Sequence, residues 1–202
     1  MNIEDIPQII TEIQDDIKTL KSAINPKPAV EGLKVLLKDG SFADDDAKLK
    51  LEDIKGITVP LLNGKRVLVY PKFKDCELLS DDVEWKGRTM RENDVYYNES
   101  DGRSETDELL ALGSKAAKFV RSIGNEFNLP HNALILVALY HFREQFNDIV
   151  KRIDGADALT FPAWSSAMYS SNSYVAWRYY LNGSFDFSIF YYAFTAVPCV
   201  LL

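Results

Sequence analysis

The 202-residue chain is poor in the residues from which most catalytic and metal centres are built, with two cysteines, two histidines and three methionines. Cys76 and Cys199 lie far apart with no CxxC spacing, so neither a zinc knuckle nor a disulfide framework is indicated, and two buried free thiols are expected. His131 and His141 are ten positions apart. On one helix they would stand about 80° apart around the axis and about three turns apart along it, so they cannot share a metal. No GxSxG, P-loop or GxGxxG pattern occurs. The acidic runs Asp44–Asp46, Asp81–Asp82 and Asp107–Glu108 read as solvated loops and helix starts rather than as a general acid–base pair. Asp44–Asp46 followed by Glu52 lacks the glycine and the alternation of an EF-hand loop. The expectation is a non-enzyme with no cofactor, no metal and no catalytic residue.

Positive charge is scarce as well. The formal net charge is −7 and no basic run appears, which argues against a nucleic-acid partner, because such binding needs clustered cations to neutralise phosphates. The opening MNIEDIPQIITEIQDDIKTL carries acids where a signal peptide carries cations. Apolar runs stop well short of a membrane span, the longest candidate being Ala133–Tyr140. A soluble protein with no signal peptide and no membrane insertion is expected.

What the chain does hold is unevenly spread. Residues 157–202 carry only three charged side chains, Asp157, Arg178 and Asp186, yet 13 of the 24 aromatics. At the other end, Ile3, Ile6, Ile10, Ile13, Ile17, Leu20 and Ile24 follow one another at alternating steps of three and four, the pattern of an a/d seam. Isoleucine at both positions favours trimers or higher oligomers. Residues 1–25 therefore read as an oligomerisation or attachment helix, trimerising the chain or packing on its body. Residues 26–32, with Pro26 and Pro28, read as a linker, since proline neither donates nor lets its predecessor sit comfortably in a helix.

Residues 33–202 read as one α+β domain. Leu33, Val35 and Leu37 alternate up to Asp39–Gly40, and 57–59 and 67–70 flank Asn63–Gly64, which predicts antiparallel hairpins. An irregular polar stretch, 75–103, has Trp85 as its anchor. Two helices are expected next, one from an N-cap at Thr106 to Gly124 and one from Leu129–Pro130 to about Ile153. Strands return at 174–181, 184–190 and 195–202, the first two joined by Asn182–Gly183. Alternation turns Trp177, Tyr179, Leu181, Phe185, Phe187 and Ile189 inward, and Arg178, Tyr180, Ser184, Asp186 and Ser188 onto a wet face.

The order Asp101–Gly102–Arg103–Ser104–Glu105–Thr106, Ala116–Ala117, Leu129–Pro130, Leu139–Tyr140, Trp164–Ser165–Ser166, Tyr169–Ser170–Ser171, Ala176–Trp177, Asn182–Gly183 and Val197–Pro198 resembles C-type lectin-like domains of the formylglycine-generating-enzyme-like branch. In particular it is similar to the variable proteins of diversity-generating retroelements. The cysteine-centred active site of that branch has no counterpart here, and the calcium-binding motifs of sugar-binding C-type lectins are missing. The resemblance implies a C-type lectin-like fold whose C-terminal region, 161–202, is a diversified ligand-binding surface. Mapped onto this chain, the implied ligand-binding residues are Ala167, Met168, Tyr174, Arg178, Tyr180, Ser184, Asp186, Ser188, Phe190, Tyr191, Tyr192 and Phe194. The implied role is that of a receptor-binding display protein, at a phage tail-fibre tip on the virion or in a similar surface structure. Its partner would be a protein or surface receptor, and the isoleucine heptads suit a homotrimer. An alternative is a structural subunit of a phage or cell-surface assembly whose aromatic tail packs against a neighbour.

Overall fold

The structure, a computed structural model, describes residues 32–85, 101–131, 133–168, 175–179, 185–189 and 191–202, with the backbone alone at 133, 168, 175, 177 and 185–187. The chain divides into two units, Met1–Glu31 and Gly32–Leu202. The first unit, and with it the isoleucine heptads, lies outside the described residues.

Among the described residues the second unit is mixed α+β. It runs β1 (Lys34–Leu37), β2 (Leu49–Lys50), β3 (Ile54–Pro60), β4 (Arg66–Val69), β5 (Lys74–Glu77), α1 (Arg103–Ala111), α2 (Lys115–Ile123), α3 (Ala133–His141), α4 (Arg143–Val150), β6 (Ile153–Asp154), β7 (Ala163–Met168), β8 (Val175–Tyr179), β9 (Phe185–Ile189), β10 (Ala193–Ala196) and β11 (Cys199–Leu201). One sheet has the order β1-β3-β4-β11, the other β5-β10-β7-β8-β9, and β2 pairs with β6. The Asn63–Gly64 turn joins β3 to β4 as an antiparallel hairpin. Gly64 takes a φ of +82°, and the Asn63 side chain accepts the Lys65 N–H at 3.1 Å.

Each of the two expected helices is divided in two. The first ends at Gly113, φ +89°, where Ser114 N–H donates to Leu109 O at 2.9 Å and Gly113 N–H to Leu110 O at 3.0 Å. That pair of bonds is the Schellman closure of a helix C-terminus. Ser114 then caps α2, its hydroxyl accepting the Ala117 N–H at 3.1 Å. Thr106 is not the N-cap. The helix begins at Arg103 after Gly102, and Thr106, fully buried in the first turn, accepts the Leu129 N–H at 3.0 Å. The second expected helix breaks at Phe142, where ψ opens to 8°.

The last expected strand also divides. Val197–Pro198 carries the chain from β10 in the five-stranded sheet to β11 in the four-stranded one. Proline has no N–H to continue a ladder, and the Pro198 carbonyl accepts the Tyr70 N–H at 3.1 Å. Two apolar clusters result. One, with Ile57, Val67, Val69, Leu136, Leu139, Phe146 and Tyr179, draws in α3 and α4. The other, with Leu68, Trp85, Leu109, Ala117, Val120, Leu129, Trp164 and Ala176, lies beneath α1 and α2. Trp85 is 2% exposed, in line with its role as anchor of the polar stretch, and its indole N–H reaches Glu108 Oε2 at 3.4 Å.

Candidate ligand-binding surface

Strand register decides which of the implied ligand-binding residues share a face. Across β7, β8 and β9, Trp164 stands opposite Arg178 and Arg178 opposite Asp186, while Ala176 stands opposite Ser188. Directly opposed residues point to the same side of a sheet. Phe194 of β10 joins that side, its ring meeting Trp164 edge-on with centroids 4.8 Å apart. This face was expected to be wet, and near its centre it is not. Ala176 is fully buried and Ser188 is 7% exposed, because the cluster beneath α1 and α2 extends across it.

Two of the implied ligand-binding residues are enclosed rather than exposed. Ser188 is buried opposite Ala176, and Ala167 is fully buried, held where β7 leaves its regular register between Trp164 and Met168, with its N–H donating to Ser165 Oγ at 3.1 Å. Neither side chain is presented at the surface. Met168 and Asp186 are placed by their backbone alone, in β7 and β9. Tyr174, Tyr180, Ser184 and Phe190 lie outside the described residues.

Four of the implied residues do come together. Tyr191 and Tyr192 occupy the turn between β9 and β10, closed by Tyr192 N–H donating to Ile189 O at 3.2 Å, and are 44% and 52% exposed. Their rings lie 5.1 Å apart. Tyr192 continues to Phe194 at 6.5 Å, and the Arg178 guanidinium covers the Phe194 ring at 4.6 Å. The series runs from two exposed phenols through a half-buried ring to the fully buried Trp164, whose indole N–H donates to Cys76 O at 2.9 Å. Aromatic rings at these separations attract one another beyond their buried area, and a cation over a ring adds to it. The outer tyrosines thus stand on a base fixed in the core.

A second polar constellation was not expected from the sequence. His131 is fully buried, with Nδ1 3.2 Å from Ser166 Oγ and Nε2 3.8 Å from Glu105 Oε1. Serine, histidine and carboxylate in that order have the composition of a nucleophilic triad. Ser166, however, is itself fully buried, and its N–H donates to Pro130 O at 2.9 Å. As placed, the hydroxyl cannot meet a substrate, and the group serves to satisfy polar atoms where α1, β7 and the 128–131 segment converge. No sequence spacing links residues 105, 131 and 166, so only the fold could bring them together. Among the described residues no three His, Cys, Asp or Glu side chains gather as a metal site would require.

Both cysteines are free and buried. Burial raises the Cys76 thiol against the pull of Lys74. It raises Cys199 much further, with the Asp101 charge adding to the effect, and the Cys199 thiol donates to Asn128 O at 3.4 Å. With iodoacetamide at about pH 8, Cys76, at 6% exposure beside the edge of its sheet, is expected to be alkylated slowly through local opening and Cys199, at 0%, only through global unfolding. Peptide mapping over a time course checks this, and equal rates would place Cys199 nearer solvent than the fold allows.

No helix among the described residues is long and apolar enough to cross a membrane. Comparison with family models, with curated proteins and with solved structures finds no match for this chain.

Proposed function

We propose that the protein is a non-catalytic binding protein that presents an aromatic recognition surface, at the end of its C-terminal strands, to a protein or cell-surface receptor. The observation that carries this reading is the exposed Tyr191–Tyr192 pair mounted, through Phe194 and Arg178, on buried Trp164. A solvated tyrosine pair contributes little to folding. As a contact surface it offers large area, two polar tips and little freedom to lose, the combination that paratopes use. Ring-to-ring support lowers the ordering cost further, because the platform is in place before a ligand arrives.

The order of motifs shared with diversity-generating retroelement variable proteins supports a C-type lectin-like scaffold. The isoleucine heptads support a trimer, as in a phage tail-fibre tip or a comparable display structure. In this reading the uncharged C-terminal segment serves two ends: its buried members exclude charge, and its outer members recognise through rings and hydroxyls.

The test is binding of labelled full-length protein to bacterial cells that the wild type decorates, compared with a Tyr191→Ala/Tyr192→Ala variant. Loss of two central aromatic contacts is expected to weaken binding by about 30-fold or more, while the unfolding free energy stays within about 0.5 kcal/mol of wild type per exposed site. Undiminished binding by a folded variant would remove the tyrosine pair from the recognition surface.

A further inference from the structure

We infer that the open edge of β5 is a docking site for an extended acidic peptide, which adds to the five-stranded sheet as a further strand beside α2. The inference goes beyond the tyrosine surface and does not rest on it.

Among the described residues β5 is the terminal strand of its sheet and pairs only with β10. Which of its main-chain groups are used follows from β10. The Thr195 N–H donates to Pro162 O at 3.0 Å, toward β7. Main-chain groups alternate direction along a strand, so those of Phe194 and Ala196 face β5, where their partners are Cys76 and Lys74. Asp75 and Glu77 therefore turn their N–H and C=O groups to the outer edge. No backbone group among the described residues bonds to them there. Two such residues, one apart, repeat at about 6.8 Å, which is the spacing of every second residue in another extended chain. Addition of a strand to an edge of this kind is a recurrent mode of peptide recognition.

The edge has room beside it and a charge to match. A groove of about 480 Å³ lies between β5 and α2, with Lys74, Glu77, Lys115, Lys118 and Phe119 in its wall. Of its two carboxylates one is charge-paired and the other is held by a hydroxyl and keeps its charge. Glu77 is paired with Lys115 at 2.7 Å, and Asp75 Oδ1 accepts from Thr195 Oγ1 at 2.9 Å. Lys74 and Lys118 are exposed and have no ion-pair partner among the described residues. On a chain of net charge −7, this groove sets three lysines against two carboxylates, an excess of positive charge beside strand-edge groups that no described residue pairs. Main-chain bonding would give a peptide its extended form, and the lysines would select glutamate or aspartate along it.

The experiment uses the isotopically labelled full-length protein and a soluble eight-residue peptide alternating glutamate with valine. Controls are the same peptide with lysine for glutamate and one N-methylated at every second residue. At about millimolar acidic peptide, the Asp75 and Glu77 amide resonances are expected to shift and their hydrogen exchange to slow, with neither control reproducing the effect. A Lys74→Glu/Lys118→Glu variant, both sites being solvent-exposed, is expected to weaken the response by about tenfold. Unchanged Asp75 and Glu77 amides at the highest peptide concentration would overturn the inference. So would an equal response to the lysine peptide, or protection of these two amides in the free protein as strong as that of β10.

Discussion

Replacing Gly102 with alanine is expected to destabilise the domain by about 3 kcal/mol or more, the sum of left-handed backbone strain and a forced displacement of packed main chain. Gly102 precedes α1 with φ +76°, a conformation that costs little only without a side chain. The second contribution is steric. A Cβ at this position would run into the Leu129 carbonyl oxygen and would meet the His131 Cβ at 3.2 Å. That carbonyl belongs to the segment tied by Leu129 N–H to Thr106 Oγ1 and by Pro130 O to the Ser166 N–H, so it cannot retreat without disturbing both α1 and β7. Gly64 separates the two contributions. Its φ is +82°, and a Cβ there would meet nothing within 4 Å, so Gly64→Ala should lose only about 1 kcal/mol. Urea unfolding of both variants, read as midpoints at constant slope, checks the difference. If Gly102→Ala proves no more costly than Gly64→Ala, the close approach of residue 102 to residue 129 is wrong.

Truncation of Trp164 is the other large effect. The side chain is fully buried, its ring rests on Phe194, and its N–H reaches Cys76 O in β5. It therefore ties β7 to β5 across β10. Trp164→Ala should cost about 3–5 kcal/mol through lost burial and the cavity left behind. For a domain of this size that corresponds to a fall in midpoint of about 10 °C. Trp164→Phe keeps most of the packing and removes the N–H, so it should cost about 1 kcal/mol. Thermal unfolding of the pair distinguishes volume from hydrogen bond, and equal costs would show that the indole N–H dominates.

Much of the local structure was legible because its signals are local. Asn63–Gly64 marks a hairpin between two apolar runs, and that hairpin forms. The break between α1 and α2 was written in Gly113–Ser114, a left-handed closure followed by a hydroxyl cap. It was missed because Leu109 to Ile123 looks like one broad apolar face. β5 was missed for the opposite reason. Lys-Asp-Cys-Glu has no apolar alternation, and such a sequence becomes a strand only because β10 pairs with it. Thr106 followed a capping rule correctly in type and wrongly in place, since its hydroxyl serves Leu129, 23 residues away, rather than its own helix.

The proposed recognition surface divides along the same line. That Phe190–Phe194 could not all be interior followed from their number and bulk, and Tyr191 and Tyr192 are indeed outside. Strand alternation placed Ser188 and Arg178 on one face correctly, but a sequence cannot show whether that face meets water or a helix. Ser188, opposite fully buried Ala176, is enclosed, while Arg178 remains half-buried.

By itself, the sequence determined the α+β class, the Asn63–Gly64 hairpin and the nearly uncharged aromatic C-terminus, which are legible in composition or in neighbours within a few positions. Tertiary structure alone decided which face of the five-stranded sheet is covered, that Glu105, His131 and Ser166 meet, and that among the described residues nothing pairs with the outer edge of β5. Those are contacts between residues tens of positions apart, and no local pattern encodes them.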